Sequence, residues 1–411
     1  MTSPVSPASI KSAAPITGDG ADPFEGILQR IAEGAVERDR SRLHPVEALR
    51  ELKNARFGAL SLPRDEGGGG AGLRGVIEQA IRLATADANV AHIFRNHFLF
   101  VERFLVAGPD ERGAEWRRAV LDGAIFGLAS TELDRKQTGG ASDFSTLLTP
   151  DGDGYRLTGR KYYSTGTFYA DFVLVRATIP GEGGASIVVP TDRDGIERID
   201  DWDGIGQRVT GSGTTVFDNV AVQPREVLPD GGNPPYLLPF TSTLAQVYVT
   251  AIIVGILKAA ERDAATLLKG RGRNFYFAPS ERTVEDPILL QAIGRISSDA
   301  FAAELAVLAA ADALERVSIA RAEGRTDLEE RAHEASLIAA KAKIVVDELA
   351  LRSTTALFDV GGASAALRER GLDRHWRNAR TLASHNPASY KALAVGGYEI
   401  NGTRLPSLGF F

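Results

Sequence analysis

The chain has 411 residues, 44% of them apolar and 24% charged, with a formal net charge of −6. That length predicts two to three domains and the composition a soluble globular fold, while the acidic balance excludes a nucleic-acid binder working through a bulk basic surface. The absence of cysteine excludes disulfides, cysteine metal sites, Fe–S clusters and thiol nucleophiles, and fits a cytoplasmic setting.

Residues 1–22 are rich in Ser, Ala, Pro and Gly without an apolar core, which predicts a flexible tail and no signal peptide. Residues 23–124 read as a helical domain. Ile27, Ile31 and Ala35 repeat at helical spacing, Val46, Leu49 and Leu52 continue the pattern, and Pro63 to Gly72 and Gly108-Pro109 interrupt it. Residues 125–235 read as a β-domain. Asp151-Gly152-Asp153-Gly154 is a turn, and Tyr155 to Thr158, Phe172 to Val175, Ser186 to Val189, Thr214 to Phe217 and Val220 to Val222 are strand-like. Residues 236–411 return to helix, rich in alanine, with Ile338, Ala342, Val345 and Leu349 predicted to share one face. The most apolar run, Val247 to Leu257, falls short of the roughly 20 residues that cross a bilayer.

Several local patterns then occur in order. They are Leu62 to Gly68, Gly127-Leu128-Ala129-Ser130-Thr131-Glu132, Gly140 to Asp143, Leu157 to Gly166, Asp201-Trp202 to Ser212, and Phe358-Asp359-Val360-Gly361-Gly362-Ala363-Ser364. From about residue 25 to the end the series resembles the acyl-CoA dehydrogenase superfamily. The resemblance implies an α+β, acyl-CoA dehydrogenase-like fold: an N-terminal helical domain, a central β-barrel-like domain and a C-terminal four-helix bundle, with a flavin between the last two. It also implies a homotetramer. The hydroxyls of Ser130, Thr131, Ser164 and Thr165 suit flavin ring atoms, since each donates and accepts. Without the surrounding series, ordinary strand-end and turn chemistry is the simpler account of them.

The segment Asp373 to Pro387 separates the branches. Many dehydrogenases of this superfamily carry there a glutamate that removes a substrate proton, and that position falls on Asn386. An amide cannot serve as that base, and no acid stands at the other family position, around Gln246 to Thr250. The motifs Arg377-Asn378, His385-Asn386-Pro387, Tyr390-Lys391 and Ala91-His92-Ile93-Phe94-Arg95-Asn96-His97 resemble instead the flavin-dependent monooxygenases related to dibenzothiophene monooxygenase.

By that resemblance His385 and His92 are active-site histidines, Thr165 lies near flavin N5, and Trp202 stands beside the cofactor. Arg273 reaches the flavin phosphate from a neighbouring subunit, with Gly361, Gly362 and Ser364 at the phosphate end. Ser364 replaces an arginine of the family, Asn96 a tyrosine, Leu128 an asparagine and Leu382 a histidine, so the pocket, which also includes Tyr163, is altered. Phe94, Phe98, Tyr163 and Phe168 are candidates for an aromatic lining, or for core. Of the other histidines, His44 and His333 are expected to be solvated and His375 to pack or cap.

The implied function is a two-component monooxygenase that uses reduced flavin and O2 through a C4a-hydroperoxyflavin to oxygenate a small organosulfur, aromatic or amine substrate. FMN is the expected cofactor and FAD the alternative, with reduced flavin diffusing from a separate flavin reductase, because no nicotinamide-binding motif is present. No histidine spacing suits a metal, and neither nucleic acid nor membrane is expected as a partner. The competing readings are an acyl-CoA dehydrogenase or oxidase with a relocated base, and a catalytically silent flavin-binding assembly protein.

Overall fold

The computed structural model describes residues 22–106, 111–133, 144–229 and 235–407. The expected tail, apart from Asp22, and the Gly140 to Asp143 motif lie outside them.

The first helical part contains α1 (Glu25–Ser41), α2 (Val46–Asn54), α3 (Leu73–Ala86), α4 (Ala88–Ile93), α5 (Arg95–Phe100) and α6 (Glu111–Leu121), with a π-helical turn (Val101–Val106) extending α5. In α1 the buried face is Leu28, Ile31 and Ala35, one step round from Ile27. At the α3–α4 junction Asp87 is extended and its carboxylate accepts the Asn89 backbone N–H at 2.9 Å, so α4 starts with a satisfied cap.

The middle of the chain is one eight-stranded sheet built from β1 (Phe126–Ala129), β2 (Leu147–Asp151), β3 (Gly154–Lys161), β4 (Phe172–Ile179), β5 (Gly183–Pro190), β6 (Ile196–Ile199), β7 (Thr214–Val222) and β8 (Val227–Pro229). The strands pair in the order β6-β7-β3-β2-β4-β5-β8, and β1 lies parallel to β4. The Asp151–Gly154 turn closes the β2–β3 hairpin. The two runs Thr214 to Phe217 and Val220 to Val222 form a single strand, with Asn219 taking the irregularity at φ +53°. One sheet face buries Leu148, Leu157, Val175, Ile187 and Phe217 against each other. The other packs Phe126, Leu174 and Val188 on Phe100, Leu105 and Trp116.

Three long helices follow, α7 (Leu237–Gly270), α8 (Pro287–Ala322) and α9 (Leu328–Gly361), then the shorter α10 (Asp373–Ala383) and α11 (Ala388–Asn401). They share a core with α3, and on α8 it is lined by Ala300, Ala303, Ala310 and Ala311. Such small side chains let helix backbones approach closely, so dispersion contacts replace the bulk of larger residues. The same logic corrects the expected face of α9. Its buried stripe is Ala335, Ala339, Ala342, Val346 and Ala350, while Val345 is exposed and Ile338 and Leu349 sit at its edge. The apolar run of α7 belongs to a helix of 34 residues, long and apolar enough by composition to cross a membrane, yet 89% of its most apolar stretch is buried inside the fold.

Candidate active site

Four pieces of chain meet at the candidate site: α4–α5, the loop after β3, the loop between β6 and β7, and the end of α10. His92 and Asn96 lie one helical turn apart and so share a face. His92 Nδ1 is 2.9 Å from Gln207 Oε1. Asn96 Nδ2 donates to the Thr165 carbonyl at 2.9 Å. Thr165 Oγ1 pairs with Ser212 Oγ at 2.8 Å, Ser212 Oγ with Thr210 Oγ1 at 2.7 Å, and Thr210 Oγ1 donates to the Gln207 carbonyl at 2.8 Å. These bonds close a circuit from His92 through Gln207, Thr210, Ser212, Thr165 and Asn96 back to the same helix face.

Local backbone makes the circuit possible. Gly166 sits at φ +81°, and a Cβ there would come within 2.6 Å of the Ile93 carbonyl oxygen, so only glycine lets the β3 loop lie against α4. Gln207 itself has φ +54°, a conformation uncommon for a residue with a side chain. Its backbone N–H donates to Asn378 Oδ1 of α10 at 2.6 Å, which holds that geometry.

Four side-chain atoms around this circuit are buried and have no hydrogen-bond partner in the chain: His92 Nε2, Asn96 Oδ1, Ser164 Oγ and Gln207 Nε2. Buried polar groups are rarely left unpaired, so a polar ligand fits here. A flavin ring, with its carbonyl oxygens, ring nitrogens and N–H groups, offers matching acceptors and donors. The neighbouring histidine shows the contrast. His97 Nε2 donates to the Gly58 carbonyl at 2.8 Å and His97 Nδ1 accepts the Phe126 N–H at 3.2 Å, so it is a satisfied core residue.

Electrostatics place His385 in the same neighbourhood. It is open to solvent at one side but enclosed by protein on the others, and that enclosure, followed by the charges of Arg95, His92 and Lys343, holds its imidazole well below the usual range for protonation. Its hydrogen bond with the Asn386 side chain acts in the opposite direction. Burial, reinforced by the Arg95 guanidinium, pushes His92 down to about 3. Both histidines are therefore neutral at pH 7, each able to donate at one nitrogen and accept at the other. Burial and Lys343 push the buried Lys391 down to about 7.

The remaining expected residues divide into two groups. Thr165 stands on the circuit with Ser164 next to it in the chain, and Trp202 is half-buried, edge-on to Tyr163 with ring centroids 5.9 Å apart and its Nε1 donating to the Gly206 carbonyl. Tyr163 is exposed. Ser130 and Thr131 are anchored from below: Lys161 Nζ donates to the Ser130 carbonyl and pairs with Glu132 at 2.7 Å, and Tyr162 N–H donates to the Thr131 carbonyl. Leu128 packs with Phe126 on the α5–α6 side of the sheet.

Arg273, Gly361, Gly362 and Ser364 form a separate group at the far end of α9. Arg271 ties them together, donating to the Val360 and Arg273 carbonyls at 3.0 Å, while Ser364 Oγ donates to the Gly361 carbonyl. Arg273 is exposed there, beside the exposed Phe275, Tyr276 and Phe277.

The aromatic residues do not line a common pocket. Phe94 and Phe98 are buried with Phe57, and Phe168 stacks on His44 at 5.1 Å. His44 is exposed, whereas His333, expected to be solvated, is buried and accepts the Leu405 N–H at 3.1 Å. His375 shares the Asp263 carboxylate with Arg374. Gln207, Asn378, Thr210 and Ser212 carry no signal in the sequence beyond their place inside motifs. Contacts between them span up to 171 positions in the chain and leave no local periodicity. Among the described residues no cluster of three or more His, Asp or Glu could hold a metal ion.

The acyl-CoA dehydrogenase C-terminal domain family matches residues 247–390. The chain is 30% identical to dibenzothiophene monooxygenase of Mycolicibacterium goodii, over 96% of each chain. Among solved structures it is similar to methanesulfinate monooxygenase MsuC from Pseudomonas fluorescens, with a TM-score of 0.85 and 26% identity over 94% of this chain and 97% of that one. It is similar as well to TdsC from Paenibacillus sp. A11-2 in its complex with FMN and indole, with a TM-score of 0.84 and 28% identity over 94% and 98%.

Proposed function

The chain belongs to the flavin-dependent monooxygenase branch of the acyl-CoA dehydrogenase superfamily, and we propose that it uses reduced FMN and O2 to oxygenate a small organosulfur, aromatic or amine substrate. The observation that carries this reading is the hydrogen-bonded circuit with its four unpaired buried polar atoms, next to a second histidine and without a carboxylate in place of Asn386. A dehydrogenase needs a base there; an oxygenase needs neutral hydrogen-bonding groups that hold and protonate a reactive oxygen adduct away from water.

Reduced FMN, when bound, supplies two electrons and the ring carbon C4a at which O2 is activated. One oxygen atom goes to the substrate and the other leaves as water. In this reading Thr165 would bond the flavin near N5, with Ser164 offering a further hydroxyl to the ring. His385 holds and donates a proton to the oxygen, and His92 accepts or returns a proton through Nε2. Burial of His92 keeps bulk water from that imidazole. We further propose that the enzyme acts as a cytoplasmic homotetramer fed by a separate flavin reductase, with Arg273 of one subunit and the Gly361 to Ser364 turn at the flavin phosphate of another.

Rapid mixing of protein-bound reduced FMN with oxygenated buffer tests the reading. The expected result is a long-lived absorbing species distinct from oxidised and reduced FMN, shortened at least about a hundredfold by His385→Ala. Immediate formation of oxidised FMN and hydrogen peroxide in the wild type, together with bleaching of oxidised flavin by an acyl-CoA thioester, would overturn it.

A further inference from the structure

The Arg377-Asn378 pair has no part in the chemistry above, yet both side chains leave α10 for the same loop. Arg377 Nη1 donates to the Ile205 carbonyl at 2.9 Å, while its Nη2 pairs with the buried Asp39 of α1 at 2.5 Å. A Cβ on Gly206 would run into the Arg377 carbonyl oxygen, so the loop lies directly on the helix. Asn378 Oδ1 then takes the Gln207 N–H, and Gln207 Oε1 faces His92 Nδ1. One turn beyond Asn378 the same helix ends, and the His385 N–H donates to the Leu382 carbonyl. The helix that leads into His385 is thus joined to His92 through two hydrogen bonds and one strained residue.

We propose that Gln207, held through its backbone N–H by Asn378, is the positioning residue for His92: it fixes the imidazole as the Nδ1–H tautomer and presents Nε2 as a bare acceptor. A neutral imidazole has one donor and one acceptor nitrogen, and the partner of one decides the role of the other. With Gln207 Oε1 accepting from Nδ1, the unpaired Nε2 accepts a proton or hydrogen bond from the ligand. Gln207 Nε2 is likewise buried and unpaired. Gln207 acts through His92, and Asn378 acts through Gln207. The proposal rests on His92 being a flavin-facing group.

The test is the side-chain nitrogen NMR spectrum of the full-length protein labelled with 15N-histidine, with and without FMN, the His92 signals being identified by their loss in His92→Gln. In the wild type Nδ1 carries the proton and Nε2 has the shift of a bare nitrogen. Gln207→Leu keeps the size but removes the acceptor, and lowers the preference for that tautomer about tenfold, the worth of one ordinary hydrogen bond. Gln207→Glu keeps the acceptor and restores it. Asn378→Leu loosens the loop and gives an intermediate result. A proton on Nε2 in the wild type, or an unchanged spectrum in Gln207→Leu, would overturn the proposal. The wild-type spectrum suffices even where a variant does not fold. Oxygen trapping can fail while this tautomer is found, and the reverse, so the two readings are separable.

Discussion

Acid should destabilise this protein before most of its carboxylates titrate. His92 and His97 are buried, with burial pushing them down to about 3 and about 4. In the unfolded chain each regains a value near 6.5 and binds a proton as the pH falls below it. The native state then binds fewer protons than the unfolded state. The stability these residues contribute is complete above about pH 6.5 and is lost progressively toward pH 3 to 4. Between pH 7 and 5 each costs about 2 kcal/mol, about 4 kcal/mol together, against a total stability of about 5–15 kcal/mol. His375, pushed down to about 4 by burial and Arg374, acts in the same direction. Urea unfolding of the FMN-free protein at pH 7, 6 and 5, at one protein concentration, measures the loss. His97→Gln retains a donor for the Gly58 carbonyl and removes a titrating group, so it should cut the loss by about 2 kcal/mol. Equal stability at pH 7 and 5, or an undiminished loss in His97→Gln, would refute the reasoning.

Two further outcomes follow from the site's supports. Arg377→Ala leaves the buried Asp39 carboxylate without its guanidinium partner and should cost about 3 kcal/mol or more, read by denaturant unfolding, with weaker FMN binding from the loosened loop. Arg273→Ala removes an exposed side chain and should leave the unfolding midpoint unchanged. If that residue meets the flavin phosphate, FMN affinity measured by fluorescence titration falls about tenfold or more; an unchanged affinity would remove Arg273 from the site.

The fold was legible because its signals are local or ordered. The apolar period of α1, the Asp151–Gly154 turn and the β-branched runs of β4 and β5 each specify an element. The succession of motifs then points to the family. Strands β1, β2, β6 and β8 are short or carry glycine, proline and charge, and only their partners in the sheet define them. The buried stripe of α9 is rotated from the Ile338, Ala342, Val345 and Leu349 face because the close helix packing there is made by alanines, whose weak apolar signal does not mark a face. At the site, the residue types were visible but their bonding was not. His92 and His97 look alike in sequence, five positions apart. What separates them is that His97 has both nitrogens engaged by backbone and His92 has one left over, a fact that depends on Gly58, Phe126 and Gln207 folding around them.

The circuit also sets an order of assembly during synthesis. Its parts come from residue 92 and residue 207, 115 positions apart, and its last support is Asn378, 171 positions further on. A nascent chain can fold its first helices and sheet as they emerge, since domains form largely from the N-terminus onward. His92 then waits beside an unsupported loop until α10 leaves the ribosome and docks. A chain cut short before residue 373 would keep most of its apolar core and lose the brace that shapes the pocket, so that the pocket exists only once α10 has been made.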